Sequence, residues 1–212
     1  QKINNVIFWS EAFSLGHGDI FNLMAPYKPL LKHFIGALPP TFLMEPFQGW
    51  AGVICRYRIF RQTICEDIAD LILGNSRGEA PLRPEFINSL LYSSSSHEVD
   101  QLLQCAIKGG MMHKFSYGRQ GNMVAHGQPD PPAYNLSRVT LSRLSFYAAA
   151  TDFTVSVADV MATQKLLKVP HRSHIIRAPF NHNAYFFHKD TARLSIIPSL
   201  REIQEFSEKG AM

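Results

Sequence analysis

The sequence predicts an α/β fold, a partial parallel sheet with an inserted, mostly helical subdomain, and three observations carry that prediction. The segments Asn5–Trp9, Arg143–Ala150 and Ser173–Ala178 are apolar and bounded by turn residues, as short strands are. A helical pattern separates the last two, which makes them neighbours in a parallel sheet. Between Phe21 and Phe115 prolines break the chain into short apolar pieces of helical style. With 212 residues and 46% apolar content the chain can bury a core, and one domain with an insertion fits better than two domains. The expected division is a sheet strand and following loop over 1–20, the helical insertion over 21–115, and the C-terminal core over 116–212.

The first strand, Asn5–Trp9, is reached almost at once, with neither an initiator Met nor a signal peptide before it, so the chain is expected to begin in mid-fold. Gly16-His17-Gly18 reads as a turn. In the insertion, Pro26, Pro29, Pro39, Pro40 and Pro46 punctuate pieces such as Leu30–Ile35, and Cys65–Leu73 continues as a helix with Glu66, Asp67 and Asp70 facing outward. Ser93–Ser96 is a polar break, and a helix over Glu98–Lys108 stops at Gly109-Gly110. An apolar, proline-broken helical subdomain suits a lid over a lipid-binding cleft; helices packing an ordinary core look much the same.

The most informative region follows Gln128. Strand Arg143–Ala150 closes at Thr151-Asp152; Ser156 and Asp159 have capping-box spacing, and Val157, Val160, Met161 and Leu167 share a helical face up to Lys168. Pro170 stops that helix, and the second strand breaks at Pro179-Phe180-Asn181-His182. Asp152 and His182 therefore emerge at one C-terminal sheet edge, where open α/β sheets place their sites. A carboxylate that accepts the Nδ1 proton of an imidazole fixes its tautomer and leaves Nε2 free to take a proton from a hydroxyl nucleophile. The plainer alternative is that Asp152 forms a turn and His182 is a loop residue.

Composition removes other classes. No apolar run reaches the roughly 20 residues of a membrane-spanning helix. The net charge is +4 and the pI near 9.0, but the basic residues are scattered rather than striped, which argues against nucleic-acid binding and for a solvated basic surface, with attraction to anionic lipid the lesser reading. Cys55 and Cys65 would stand about 15 Å apart in one continuous helix, beyond a disulfide's reach of roughly 7 Å. A bridge needs a break between them; otherwise both are reduced core thiols, as Cys105 is expected to be. Asn135-Leu136-Ser137, at the end of the Pro-rich turn Gln128–Asn135, is a glycosylation acceptor. Gly74-Asn75-Ser76-Arg77-Gly78 matches the string of a nucleophile elbow, but its context is wrong. An elbow needs a buried strand before the serine and a helix behind it; here an acid-bearing helix precedes Ser76, and Pro81 and Pro84 follow. Ser76 is expected to be a loop residue.

The block Lys108–Gly118, then Asn122, Gly127, Pro131–Ser137 and Val139, closely resembles the acid lipase family of gastric and lysosomal acid lipases. The resemblance continues through Thr151-Asp152, Ala158-Asp159-Val160 and Phe180-Asn181-His182, strongly from about Cys105 to Phe187 and loosely before that. It implies the C-terminal part of an α/β-hydrolase fold with a helical cap that bears the lid. It further implies hydrolysis of acylglycerols or sterol esters in a secreted or lysosomal setting, without metal or organic cofactor. Asp152 would be the triad acid, His182 the base, and Cys55–Cys65 the cap disulfide. The family's nucleophile, in a Gly-His-Ser-x-Gly elbow, and its oxyanion-hole segment would lie upstream of Gln1, so the chain alone is expected to be inactive.

Two departures stand out. After the histidine the family carries an acidic residue where this chain has Ala184, and a family cap motif is replaced by Tyr92–Ser96. A non-catalytic lipid-binding or regulatory remnant, or an esterase for small soluble esters, are the alternatives. The expected partner is a neutral lipid, met at a lipid–water interface.

Overall fold

In the computed structural model, residues 3, 5–27, 30, 53–76, 79, 96–108 and 110–210 are described. Three strands, β1 (Asn5–Trp9), β2 (Arg143–Ala149) and β3 (His171–Ile176), form a parallel sheet in the order β1-β2-β3. Asn5 is level with Arg143 and Trp9 with Tyr147 on one side; Leu144 is level with His171 and Ala149 with Ile176 on the other. The third strand thus starts two residues before the expected Ser173–Ala178. The Leu144 N–H already bonds the Pro170 carbonyl at 3.1 Å, and the ladder closes where the Ala150 N–H meets the Ile176 carbonyl at 2.9 Å. His171 and Arg172 tolerate strand positions because they are solvent-exposed.

β2 is buried on both faces, and its period of two divides the core. Leu144, Phe146 and Ala148 pack with Leu15, Cys105, Val155 and Val160, while Tyr147 and Ala149 pack with Ile176, Phe180, Ala184 and Tyr185. The crossover helix, Val157–Leu166, starts as its capping residues predict. Ser156 Oγ accepts the Asp159 N–H at 3.1 Å, and the helix ends where Leu167 turns extended. On the second face the C-terminal helix Ile197–Gly210 buries Glu202, which accepts hydrogen bonds from Ser145 Oγ and from Tyr147 Oη and pairs with His174. Burial above all pushes the Tyr147 hydroxyl up to about 12, so it stays a neutral donor to that carboxylate.

The helix Ser96–Ile107 packs as core, with Leu103 and Cys105 buried. It stops at Gly110, whose N–H reaches back to the Cys105 carbonyl at 2.9 Å. Its exit is tied to the loop after β1 by bonds from the Leu15 N–H to the Gly110 carbonyl and from the Met112 N–H to the Phe13 carbonyl. Cys55 and Cys65 form a disulfide with Cα atoms 6.1 Å apart. The break it requires is a turn at Ile54–Tyr57, ahead of a helix that runs through Arg58–Phe60, a π turn at Arg61–Cys65, and Glu66–Leu73. Pro29, Pro39, Pro40, Pro46, Pro81, Pro84 and Ser93–Ser95 lie outside the described residues.

Truncation at the centre of β2 tests the core assignment. Phe146→Ala is expected to cost about 3–5 kcal/mol in urea unfolding, against about 0.5 kcal/mol or less for Met161→Ala on the exposed side of the crossover helix.

Candidate active site

Parallel strands deliver their C-terminal ends to one edge, and three side chains meet there. Asp152 follows β2, His182 follows β3 and Ser10 follows β1 directly. The Asp152 side chain has no exposure, while the His182 ring keeps 34% of its own. Asp152 Oδ1 accepts the N–H groups of Thr154 at 2.8 Å and Val155 at 3.0 Å, the turn-forming use of a strand-end aspartate. Its Oδ2 stands 3.0 Å from His182 Nδ1 and accepts the Ser10 hydroxyl at 2.6 Å. The two readings of Asp152 available from the sequence, turn former and imidazole partner, therefore coexist on different oxygens. A buried carboxylate must be fully hydrogen-bonded, and this one is. With Nδ1 committed to a carboxylate, Nε2 is the ring atom left for a reactant; among the described residues none occupies it.

The imidazole is held through its backbone as well. The carbonyl of Leu73, at the end of the helix Glu66–Leu73, accepts both the Phe153 N–H at 3.3 Å and the His182 N–H at 3.1 Å, so one oxygen clasps the loops after β2 and β3 together. The chain then leaves through Gly74 at φ 100°, where a Cβ would fall 1.9 Å from the Thr151 carbonyl oxygen; only glycine fits. Asp70, expected to face outward, instead turns to this junction. It accepts the Ser76 N–H and hydroxyl and the Asn181 amide, because those donors are brought beside it and would otherwise lose their partners. Ser76 is a buried loop residue whose hydroxyl is spent on Asp70. Below, burial first and the Asp152 charge second push the Tyr185 hydroxyl far above the ordinary phenol range, and it donates to the Tyr147 carbonyl at 2.9 Å.

The chain is similar to Lipase 1 of Drosophila melanogaster, with 23% identity over 172 residues, which cover 80% of this chain and 39% of that protein. The chain thus spans well under half the length of that relative. No protein-family model matches. The likeness supports a lipase-like relation.

Sequence reasoning missed Ser10, Leu73 and Gly74. Ser10 follows a strand, as Asp152 does, but has no spacing or motif that marks it in the sequence. Ser10 is also the one non-glycine residue with positive φ among the described residues, at 56°. A serine on a strained strand end resembles a nucleophile elbow. It sits at the wrong nitrogen, however: its Oγ lies 3.1 Å from His182 Nδ1, the atom already committed to Asp152.

A second carboxylate–imidazole pair lies at the start of the crossover helix. Buried Asp159 accepts from Ser14, Ser156, the His17 N–H and, at 3.0 Å, His17 Nδ1. This pair pins the Gly16-His17-Gly18 turn to a helix N-terminus, whose dipole favours the carboxylate. Among the described residues no group of three His, Cys, Asp or Glu side chains is placed to hold a metal ion.

Glu11, buried next to Ser10, has its carboxyl pKa raised, chiefly by burial, with a smaller push from Asp159 and partial offset from the Phe13 N–H and Thr163. A raised folded-state value means the native state binds the proton more tightly than the unfolded chain, so Glu11 lowers stability as pH rises from the ordinary carboxylate range through its folded value. Glu11→Gln is therefore expected to raise the melting temperature at pH 7, with the gain vanishing near pH 4, in paired thermal melts.

Proposed function

We propose that these residues are the C-terminal part of a lipase that cleaves esters of neutral lipids, acylglycerols or sterol esters, by a Ser-Asp-His mechanism. The observation that carries the reading is the 3.0 Å contact between a fully buried Asp152 carboxylate and a partly exposed His182 at the C-terminal edge of a parallel sheet. The likeness to a lipase supports the same conclusion.

In this mechanism a serine from a segment upstream of Gln1 attacks the ester carbonyl while His182 Nε2 takes its proton. Asp152 keeps the proton of Nδ1 in place and stabilises the imidazolium. Collapse of the tetrahedral intermediate expels the alcohol, which leaves with the proton from Nε2. Water then gives a proton to Nε2 as it attacks the acyl-enzyme, and the second tetrahedral intermediate breaks its bond to the serine, which takes that proton back as the fatty acid is released. The helical insertion over 21–115 would act as cap and lid. The exposed apolar side chains Ile59, Ile68 and Leu71 on one of its helices would suit contact with lipid. The Cys55–Cys65 disulfide is compatible with an oxidising compartment, secreted or lysosomal, and no helix among the described residues is long and apolar enough to cross a membrane. Asn135 is exposed, with its Oδ1 bonded to the Ser137 N–H and hydroxyl, and would be open to glycosylation there.

The test is turnover of long-chain triacylglycerol and of a short-chain ester by the product of the complete reading frame. Asp152→Asn and His182→Ala are each expected to lower kcat by roughly 10³-fold or more, as losses of triad members do. Ser76→Ala is expected to leave turnover unchanged, and the 212-residue chain alone is expected to show none. Turnover by that chain that disappears in Ser76→Ala would reverse the reading.

A further inference from the structure

We propose that Ser10 is a positioning residue that holds the Asp152–His182 pair in one tautomer; the inference rests on the assignment of that pair in the proposed mechanism. The geometry allows one arrangement of protons. The 2.6 Å separation from Ser10 Oγ to Asp152 Oδ2 is that of a hydroxyl donating to a carboxylate, so the Ser10 proton is committed there. What the hydroxyl then presents to His182 Nδ1, 3.1 Å away, is a lone pair. Asp152 Oδ2 presents another at 3.0 Å. Two acceptors converge on one ring nitrogen, which must carry the proton; the opposite tautomer would set the Nδ1 lone pair against both oxygens. Ser10 thereby acts with Asp152 to make Nε2 the unprotonated nitrogen.

The backbone supports the same role. A positive φ is costly for a non-glycine residue and persists only where the surroundings over-determine it. At Ser10 the N–H still continues the parallel ladder, bonded to the Tyr147 carbonyl at 2.9 Å, while the left-handed turn sends the side chain to the Asp and His loops. A serine kept for the turn alone would be better replaced by glycine. A serine kept for its hydroxyl would not.

That contrast defines the experiment, performed on the product of the complete reading frame with ¹⁵N-labelled histidine and independent of ester turnover. NMR of His182 in the wild type is expected to show the Nδ1–H tautomer and a slowly exchanging low-field Nδ1 proton. Ser10→Gly relieves the backbone and should fold at least as stably as the wild type, yet both it and Ser10→Ala are expected to lose the low-field resonance and to drift toward the mixed tautomers of free imidazole. If Ser10→Ala fails to fold, Ser10→Gly decides alone. A wild-type His182 spectrum in Ser10→Gly overturns the proposal. Asp152→Asn separates the two levels: a response to Asp152→Asn without one to Ser10→Gly removes Ser10 and keeps the pair, whereas an unchanged His182 spectrum in Asp152→Asn removes the pair and the role of Ser10 with it.

Discussion

The parallel alignment of β2 with both its neighbours is the constraint from which the rest follows. Parallel strands cannot be joined by tight turns, so each connection must cross back over the sheet, and all C-terminal ends emerge on one side. Ser10, Asp152 and His182 are far apart in sequence and meet only because each follows a strand that ends at that edge. β2 is fit to be the middle strand because its residues are buried on both faces, Leu144, Phe146 and Ala148 on one and Tyr147 and Ala149 on the other.

A fully buried carboxylate at the end of such a strand is a large electrostatic cost, and the surrounding structure is arranged to offset it. Two backbone N–H groups, one hydroxyl and one imidazole take up the two oxygens of Asp152. Asp159 solves the same problem with two serines and His17. The pairs differ in what the imidazole does next. His17 is tied down by its own backbone N–H to the same carboxylate, so its ring closes a turn. The His182 N–H donates instead to Leu73, an oxygen outside the pair, so this ring is held at the sheet edge between the loops after β2 and β3.

The sheet was legible because its signals are local and strong. The apolar run of β2, the Ser156–Asp159 cap and Pro170 mark strand, helix and stop without help from tertiary contacts. Asp152 and His182 were legible for the same reason, each terminating a strand. The register of β3 was less so, since whether the polar pair His171-Arg172 joins a ladder depends on the strand beside it. Asp70 was misjudged because an acid on an amphipathic helix reads as solvent-facing until something non-local, here Asn181 and the returning Ser76, arrives with donors to satisfy. Ser10 was passed over because a lone serine after a strand has no periodicity or spacing to distinguish it; its positive φ and its two partners are properties of the assembled edge. The disulfide had the reverse history, since helix geometry named the break that Cys55 and Cys65 would need, and the turn at Ile54–Tyr57 supplies it.

The clasp at Leu73 links these levels. Its carbonyl would end a helix unsatisfied, as the last carbonyls of helices do. By accepting from Phe153 and His182 it removes that deficit and at the same time fixes the spacing of the two loops on which Asp152 and His182 ride. Gly74 is the consequence, because a chain that brings its carbonyl so close to Thr151 has no room for a side chain at the next position. The helix Glu66–Leu73 is therefore not an appendage to the sheet. The end of this helix is a structural part of the Asp–His junction, joined to it by the Leu73 carbonyl, which accepts from Phe153 and His182, and by the Asp70 carboxylate, which accepts from Asn181.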